Sequence, residues 1–175
     1  MTLTALAGSV RRLWHLRGRL SVAGTAYAVD PAESFGVLDH GRGRWPYSIK
    51  WNWGAGHGTV DGRTVSLQVG GRWTDGTGST ENALFVDGVA HKISEDLVWE
   101  YDTTDWMRPW RVHGERLDVA FTPFHERAAR TALGVVASEV HQCFGHWTGW
   151  ATTSDGASVP VDGIVGWAEE ARNRW

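Results

Sequence analysis

The chain has 175 residues, with 17 basic and 20 acidic side chains and a net charge of −3. That length suits one domain able to bury roughly 70% of its unfolded surface without a metal or disulfide staple, and the near balance of charge excludes the electrostatic footprint of a nucleic-acid binder. Cys143 is the only cysteine, which excludes an internal disulfide framework and points to a reducing, cytoplasmic setting. No apolar run approaches the roughly 20 residues of a membrane-spanning helix.

Residues 1–16 carry no clear pattern and are left unassigned. The opening M-T-L-T-A-L-A-G-S-V-R-R lacks the basic start of a signal peptide, and Arg11, Arg12, Arg17 and Arg19 read as a solvated cluster. Residues 17–175 read as a single β domain. The segment 20–29, L-S-V-A-G-T-A-Y-A-V, has the form of a hairpin. Residues 45–53, W-P-Y-S-I-K-W-N-W, alternate strictly, with Trp45, Tyr47, Ile49, Trp51 and Trp53 on one face. A period of two over this stretch predicts a strand with an aromatic wall on one side, directed into a shared interior. Asn52 falls on the opposite face and is discounted as a lining residue.

Beyond residue 60, Asp-Gly pairs mark the turns: Asp61-Gly62, Asp75-Gly76, Asp87-Gly88, Asp155-Gly156 and Asp162-Gly163. Flanked by alternating apolar residues, Asp-Gly is a strong hairpin signal. Val65, Leu67 and Val69 share one face, as do Leu97, Trp99 and Tyr101, and Leu117, Val119 and Phe121. Residues 130–140 and 141–153 read as long extended stretches. Turns every eight to twelve residues predict an antiparallel meander, a sandwich or a barrel. One helix is predicted at the end, capped by Asp162, with Ile164, Ala168, Ala171 and Trp175 on one stripe and Glu170 and Arg174 supporting each other outside.

Several strings carry a resemblance to a known family: F-G-V-L-D-H-G-R-G-R-W-P-Y, W-N-W-G, T-E-N-A-L-F-V-D-G, H-K-I, D-W-M-R-P-W-R, F-T-P-F-H-E-R, S-E-V-H-Q-C-F-G-H-W-T-G and G-W-A-E-E-A-R-N-R-W. From about residue 35 to 175 the chain resembles the family known only as domain of unknown function 2804. The resemblance implies two lipocalin-related β units in a full-length member, of which this chain holds the second, and a distant similarity to carotenoid hydratases and tocopherol cyclases. The fold expected is therefore all-β: an antiparallel, lipocalin-like (calycin-like) barrel or strongly curved sheet with a C-terminal α-helix.

Candidate site residues fall in three places. The aromatic wall, Trp45, Tyr47, Trp51 and Trp53, reads either as ordinary core or as the lining of a pocket for a hydrophobic molecule. The motif L-D-H-G-R-G-R, residues 38–44, offers Asp39 and His40 for acid–base work and Arg42 to hold a ligand, or is a solvated strand end with turn residues. The loop G-R-W-T-D-G-T-G-S-T-E-N, residues 71–82, contributes Trp73, Glu81 and Asn82. It lacks the Lys-Ser/Thr ending of a P-loop and the spacing of an EF-hand. Glu81 buried against tryptophans would have a raised pKa; the plain alternative is a flexible hairpin loop. No zinc motif and no nucleophile elbow is present, and Cys143 reads as a small buried hydrophobe. Neither metal nor cofactor is expected.

The function expected is binding of a hydrophobic or isoprenoid-like small molecule in the aromatic-walled cavity. Two alternatives stand beside it. One is a cofactor-independent hydratase, cyclase or isomerase on an apolar substrate, with Glu81 or Asp39 as the acid. The other is a glycan-binding or assembly module, the latter pairing with itself or with a missing half.

Overall fold

The computed structural model describes residues 17–31, 34–37, 39 and 45–175, together with the backbone of strand residues 5–6, 13–15 and 42–43. Six short strands come first: β1 (Ala5–Leu6), β2 (Leu13–His15), β3 (Gly18–Val22), β4 (Thr25–Val29), β5 (Phe35–Val37) and β6 (Arg42–Gly43). They pair as β1–β6, β2–β5 and the hairpin β3–β4, which turns at Ala23-Gly24 within the segment expected to form one.

Ten strands then build the main sheet: β7 (Ser48–Val60), β8 (Arg63–Gly71), β9 (Ala83–Val86), β10 (Val89–Lys92), β11 (Val98–Glu100), β12 (Trp110–His113), β13 (Leu117–Leu133), β14 (Val136–Thr152), β15 (Ser158–Pro160) and β16 (Ile164–Arg174). All pairings are antiparallel, in the spatial order β10-β9-β8-β7-β16-β14-β13-β12-β11, with β15 on β14. At Asp61-Gly62 and Asp87-Gly88 both residues have positive φ, 50° and 76° in the first pair and 50° and 81° in the second. That is the two-residue turn whose twist matches a hairpin, and Gly enters it without a Cβ clash.

The two ends of this sheet are consecutive in sequence. Residues 93–97 alone join β10 to β11, a link that reaches at most about 20 Å. A flat array of nine strands would hold its edges about 38 Å apart, so the sheet must curl into a half-barrel. Side chains tie the closure. The Arg116 guanidinium donates to the carbonyls of Lys92 (2.9 Å), Thr152 (3.1 Å) and Thr153 (2.7 Å). The Glu95 carboxylate accepts from the backbone N–H groups of Glu115 (2.8 Å) and Arg116 (2.9 Å).

The inner face of the curl is the hydrophobic core. Val65, Leu67, Val69, Leu84, Val112, Leu117, Val119, Phe121, Ile164 and Ala168 meet there with Trp110 and Trp147. On β7 this face carries glycine. A Cβ on Gly54 would lie 2.8 Å from Trp147 Cζ2, and one on Gly56 2.6 Å from Trp147 Cδ1. The two bare backbone positions are the seat of the Trp147 ring. A bulge between Pro123 and His125 shifts the β13 register against β14, so that Phe121 and Glu126 both face inward although they lie an odd number of positions apart.

Two expectations fail here. Residues 164–174 are not a helix, and no helix occurs among the described residues. Strand β16 lies in the middle of the sheet between β7 and β14. A strand covered on both faces has apolar or small residues at both alternations, which blurs the period of two and imitates a helical stripe. Asp162 caps nothing; its Oδ1 accepts the Gly149 N–H at 2.9 Å in the turn before β16. The stretch 130–140 is also not one extended run. It bends at Gly134, whose φ is 62°, and β13 and β14 form one long hairpin there.

Candidate functional site

Strand β7 does alternate, but its aromatic side is not the one that faces the core. Asn52, Gly54 and Gly56 point inward, while Trp51 and Trp53 point to the outer face of the curl, beside Glu169 and Trp167 of β16. The expectation that these rings project into the barrel interior is therefore corrected. Glycine at 54 and 56 let the Trp147 ring of another strand take the interior, and the bulk of β7 itself was left for the outside.

On that outer face a pocket of about 220 Å³ opens. Trp45, Ile49, Trp51, Trp53, Trp73 and Trp175 supply its apolar walls, and Asp39, Glu81 and Glu169 its polar groups. The rings stand edge to face: Trp45 and Trp73 at 5.6 Å and 81°, Trp53 and Trp167 at 5.0 Å and 73°. Two of the indoles serve the acids. Trp73 Nε1 donates to Glu81 Oε1 at 2.8 Å, and Trp51 Nε1 donates to Glu169 Oε1 at 3.1 Å. Gln142 holds the other oxygen of Glu169 at 2.9 Å. Glu81 reaches this position because Gly70 opposite Trp53 is bare; a Cβ there would sit 2.1 Å from Glu81 Oε1.

Burial pushes the Glu81 carboxyl above the usual range; the Trp73 bond and Lys92 oppose this, while Asp39 and Glu169 add to it. Glu169 is raised as well, by burial first, against its bonds from Trp51 and Gln142. The Lys92 ammonium is turned toward the backbone, donating to the Thr80 carbonyl and, at 2.8 Å, to Thr80 Oγ1. Among the described residues no cluster of His, Cys, Asp or Glu could hold a metal ion.

The inner face carries a second polar assembly that sequence reasoning missed. Glu170, 1% exposed, accepts from the Tyr101 hydroxyl and pairs with Lys50 at 2.6 Å and Arg172 at 2.5 Å. Burial raises its pKa, but Lys50, Tyr101 and Arg172 outweigh it, and the net direction is down. Asn52 Nδ2 donates to the Tyr101 oxygen at 3.0 Å and to the Glu169 carbonyl at 3.2 Å, and Arg72 Nε donates to Asn52 Oδ1 at 2.8 Å. Tyr101 stacks on Trp110 at 4.3 Å, and Trp106 stacks on His141 at 4.1 Å. His141 in turn contacts Glu126 at 2.7 Å. The signal was present in Glu169-Glu170: on a strand, neighbours serve opposite faces, and these two serve the pocket and the inner network.

The other candidates fall elsewhere. Tyr47 is exposed and donates its hydroxyl to the Val135 carbonyl at 2.9 Å. Asn82 is buried with both amide atoms engaged, accepting the Gly70 N–H at 2.7 Å and donating to the Glu95 carbonyl at 2.9 Å. It fastens the loop to the closure and does not line the pocket. His40 and the side chain of Arg42 lie outside the described residues. Cys143 is fully buried, and burial pushes its thiol up to about 12, so it is no nucleophile.

Fold and site together define an all-β protein whose curled antiparallel sheet is solid inside and bears an acid-containing, tryptophan-walled pocket outside. A family model described as Domain of unknown function (DUF2804) matches residues 10–175; the chain belongs to that family. The match takes in residues 10–34, which the sequence strings had left out, so it covers nearly the whole chain and not its later part alone. No curated protein and no solved structure matches the chain. Among the described residues no helix is long and apolar enough to cross a membrane.

Proposed function

We propose that this protein binds a small molecule through its apolar part, seated in the tryptophan-walled pocket on the outer face of the sheet. The contrast between the two faces carries this reading. Inside the curl, Trp110, Trp147 and Phe121 are packed to 1% exposure or less. Outside it, Trp45, Trp51, Trp53 and Trp73 border open space of about 220 Å³. Pockets for whole drug-sized ligands run to roughly 300–1,000 Å³, so this one takes a compact molecule or one end of a longer, isoprenoid-like chain. The edge-to-face rings enclose a recess and do not form the flat strip on which sugar rings stack, which favours a small ligand over a glycan. The kinship with lipocalin-like proteins belongs to this proposal; the curled antiparallel half-barrel supports it, although the site lies outside the curl and not in its lumen.

Intrinsic tryptophan fluorescence and thermal shift against a panel of short polyprenols, aromatic compounds and charged amphiphiles test the reading. Saturable quenching and a raised Tm are expected for some members, with binding weakened by about tenfold in Trp53→Ala, the loss of a half-buried aromatic contact. Absence of quenching by every member would end the proposal.

A further inference from the structure

Resting on that reading, we infer that the pocket selects a positively charged organic group: a compact alkylammonium or a quaternary ammonium. The walls are chiefly indole rings, and the quadrupole of such a ring attracts a cation lying over its face. The polar groups are all carboxylates, Asp39, Glu81 and Glu169, and no lining residue among those described carries positive charge. The indole N–H groups of Trp51 and Trp73, which would otherwise greet an anion, are committed to Glu169 and Glu81. Lys92, whose charge acts on Glu81, spends its ammonium on Thr80 and the Asn82 carbonyl. A bound anion would face three acids, with the N–H groups of Trp51 and Trp73 already spent on two of them. A hydrated metal ion is a poor fit, because the carboxylates do not converge on a common point. An alkylammonium suits the space: its charge is spread over a shell of methyl or methylene groups that fill an apolar recess while the carboxylates balance it.

Burial raises the pKa of both Glu81 and Glu169, which gives the inference a pH signature. Asp39 and Glu169 face Glu81 as like charges and Lys92 as the opposing one; Gln142, Trp51 and Asp39 face Glu169. Protonation of either acid removes a counter-charge, so affinity for a cation must fall on acidification, beginning above the ordinary carboxylate range.

Choline and 3,3-dimethylbutan-1-ol share one shape and differ in charge, and 3,3-dimethylbutanoate keeps the tert-butyl end but carries a carboxylate in place of the alcohol. Titration calorimetry on the full chain is expected to show choline binding at least about tenfold tighter than the neutral alcohol, a difference of about 1.4 kcal/mol, with the anion weakest. The preference should shrink severalfold in Glu81→Gln and in Glu169→Gln, each checked for folding by circular dichroism, and in wild type as the pH is lowered. Equal or better binding of the alcohol or the anion overturns the charge preference and leaves the pocket's proposed role standing. Binding of polyprenols with no binding of choline does the same. Silence from every probe and from the whole apolar panel removes both.

Discussion

Replacing Trp147 by alanine is expected to cost about 3–5 kcal/mol, the range for a large buried aromatic, and to lower Tm by roughly 6–20 °C in a chain of this length. Trp147 is fully buried on the inner face, packed on Phe121 at 4.7 Å, and its Nε1 donates to the Ala55 carbonyl at 3.1 Å. Its ring covers Gly54 and Gly56. The cost of a cavity depends on how far neighbours can collapse into it. Two glycines have no side chains to move, so the value should lie toward the upper end. Urea unfolding followed by circular dichroism measures it. A loss under about 1 kcal/mol would mean that the inner face is not the packed core of the protein.

The second large effect concerns two glutamates with opposite signatures. Glu170→Gln is expected to cost about 1–3 kcal/mol at neutral pH, the scale of buried hydrogen bonds to a charged group, because Lys50, Arg172 and Tyr101 converge on that carboxylate. Its pKa is lowered by folding from an ordinary value of 4.5. The stabilisation is therefore complete above 4.5 and disappears as the pH falls through the depressed folded value. Wild type should be the more stable protein at neutral pH, and the gap should close in acid.

Glu81 behaves in reverse. Its pKa is raised by folding, so the native state takes up the proton first and the ionised group destabilises it at higher pH. Glu81→Gln, whose amide oxygen can still accept from Trp73, should be more stable than wild type at neutral pH. That gap also closes on acidification, once the pH is below 4.5. Chemical unfolding of the three proteins between acid and neutral pH reads both signs. A Glu170→Gln protein as stable as wild type throughout, or a Glu81→Gln protein destabilised at neutral pH, would contradict the assignment of these acids to the two faces.

Much of this architecture was legible because it is written locally. Asp-Gly at 61–62 and 87–88 demands a tight hairpin whatever surrounds it, and Val65, Leu67 and Val69 name their own face. The expected alternation also holds from Ser48 to Trp53, whereas residues 45–47 precede the strand. What the pattern could not say is which of its sides faces the core, since that depends on Trp147, nearly a hundred residues away, resting on Gly54 and Gly56. Bulk on one strand suggested an interior; bulk arriving from another strand filled it instead. The error at 164–174 has a related origin. Ala168, Glu169, Glu170 and Ala171 are all buried, and a strand hidden on both sides loses the contrast from which a period is read. The inner network was illegible for the same reason: Tyr101, Asn52 and Glu170 meet only through the register of distant strands.

On the proposed reading, the two faces of the sheet divide the work, one packed solid and the other open to a ligand. Indole N–H signals in ¹H–¹⁵N spectra, assigned by single Trp→Phe substitutions, report on each ring separately. On titration with a ligand that quenches the fluorescence, the signals of Trp51, Trp53 and Trp73 should move while those of Trp110 and Trp147 stay fixed. Movement of Trp110 and Trp147, with the outer three unchanged, would place the guest inside the curl and contradict an outer-face site.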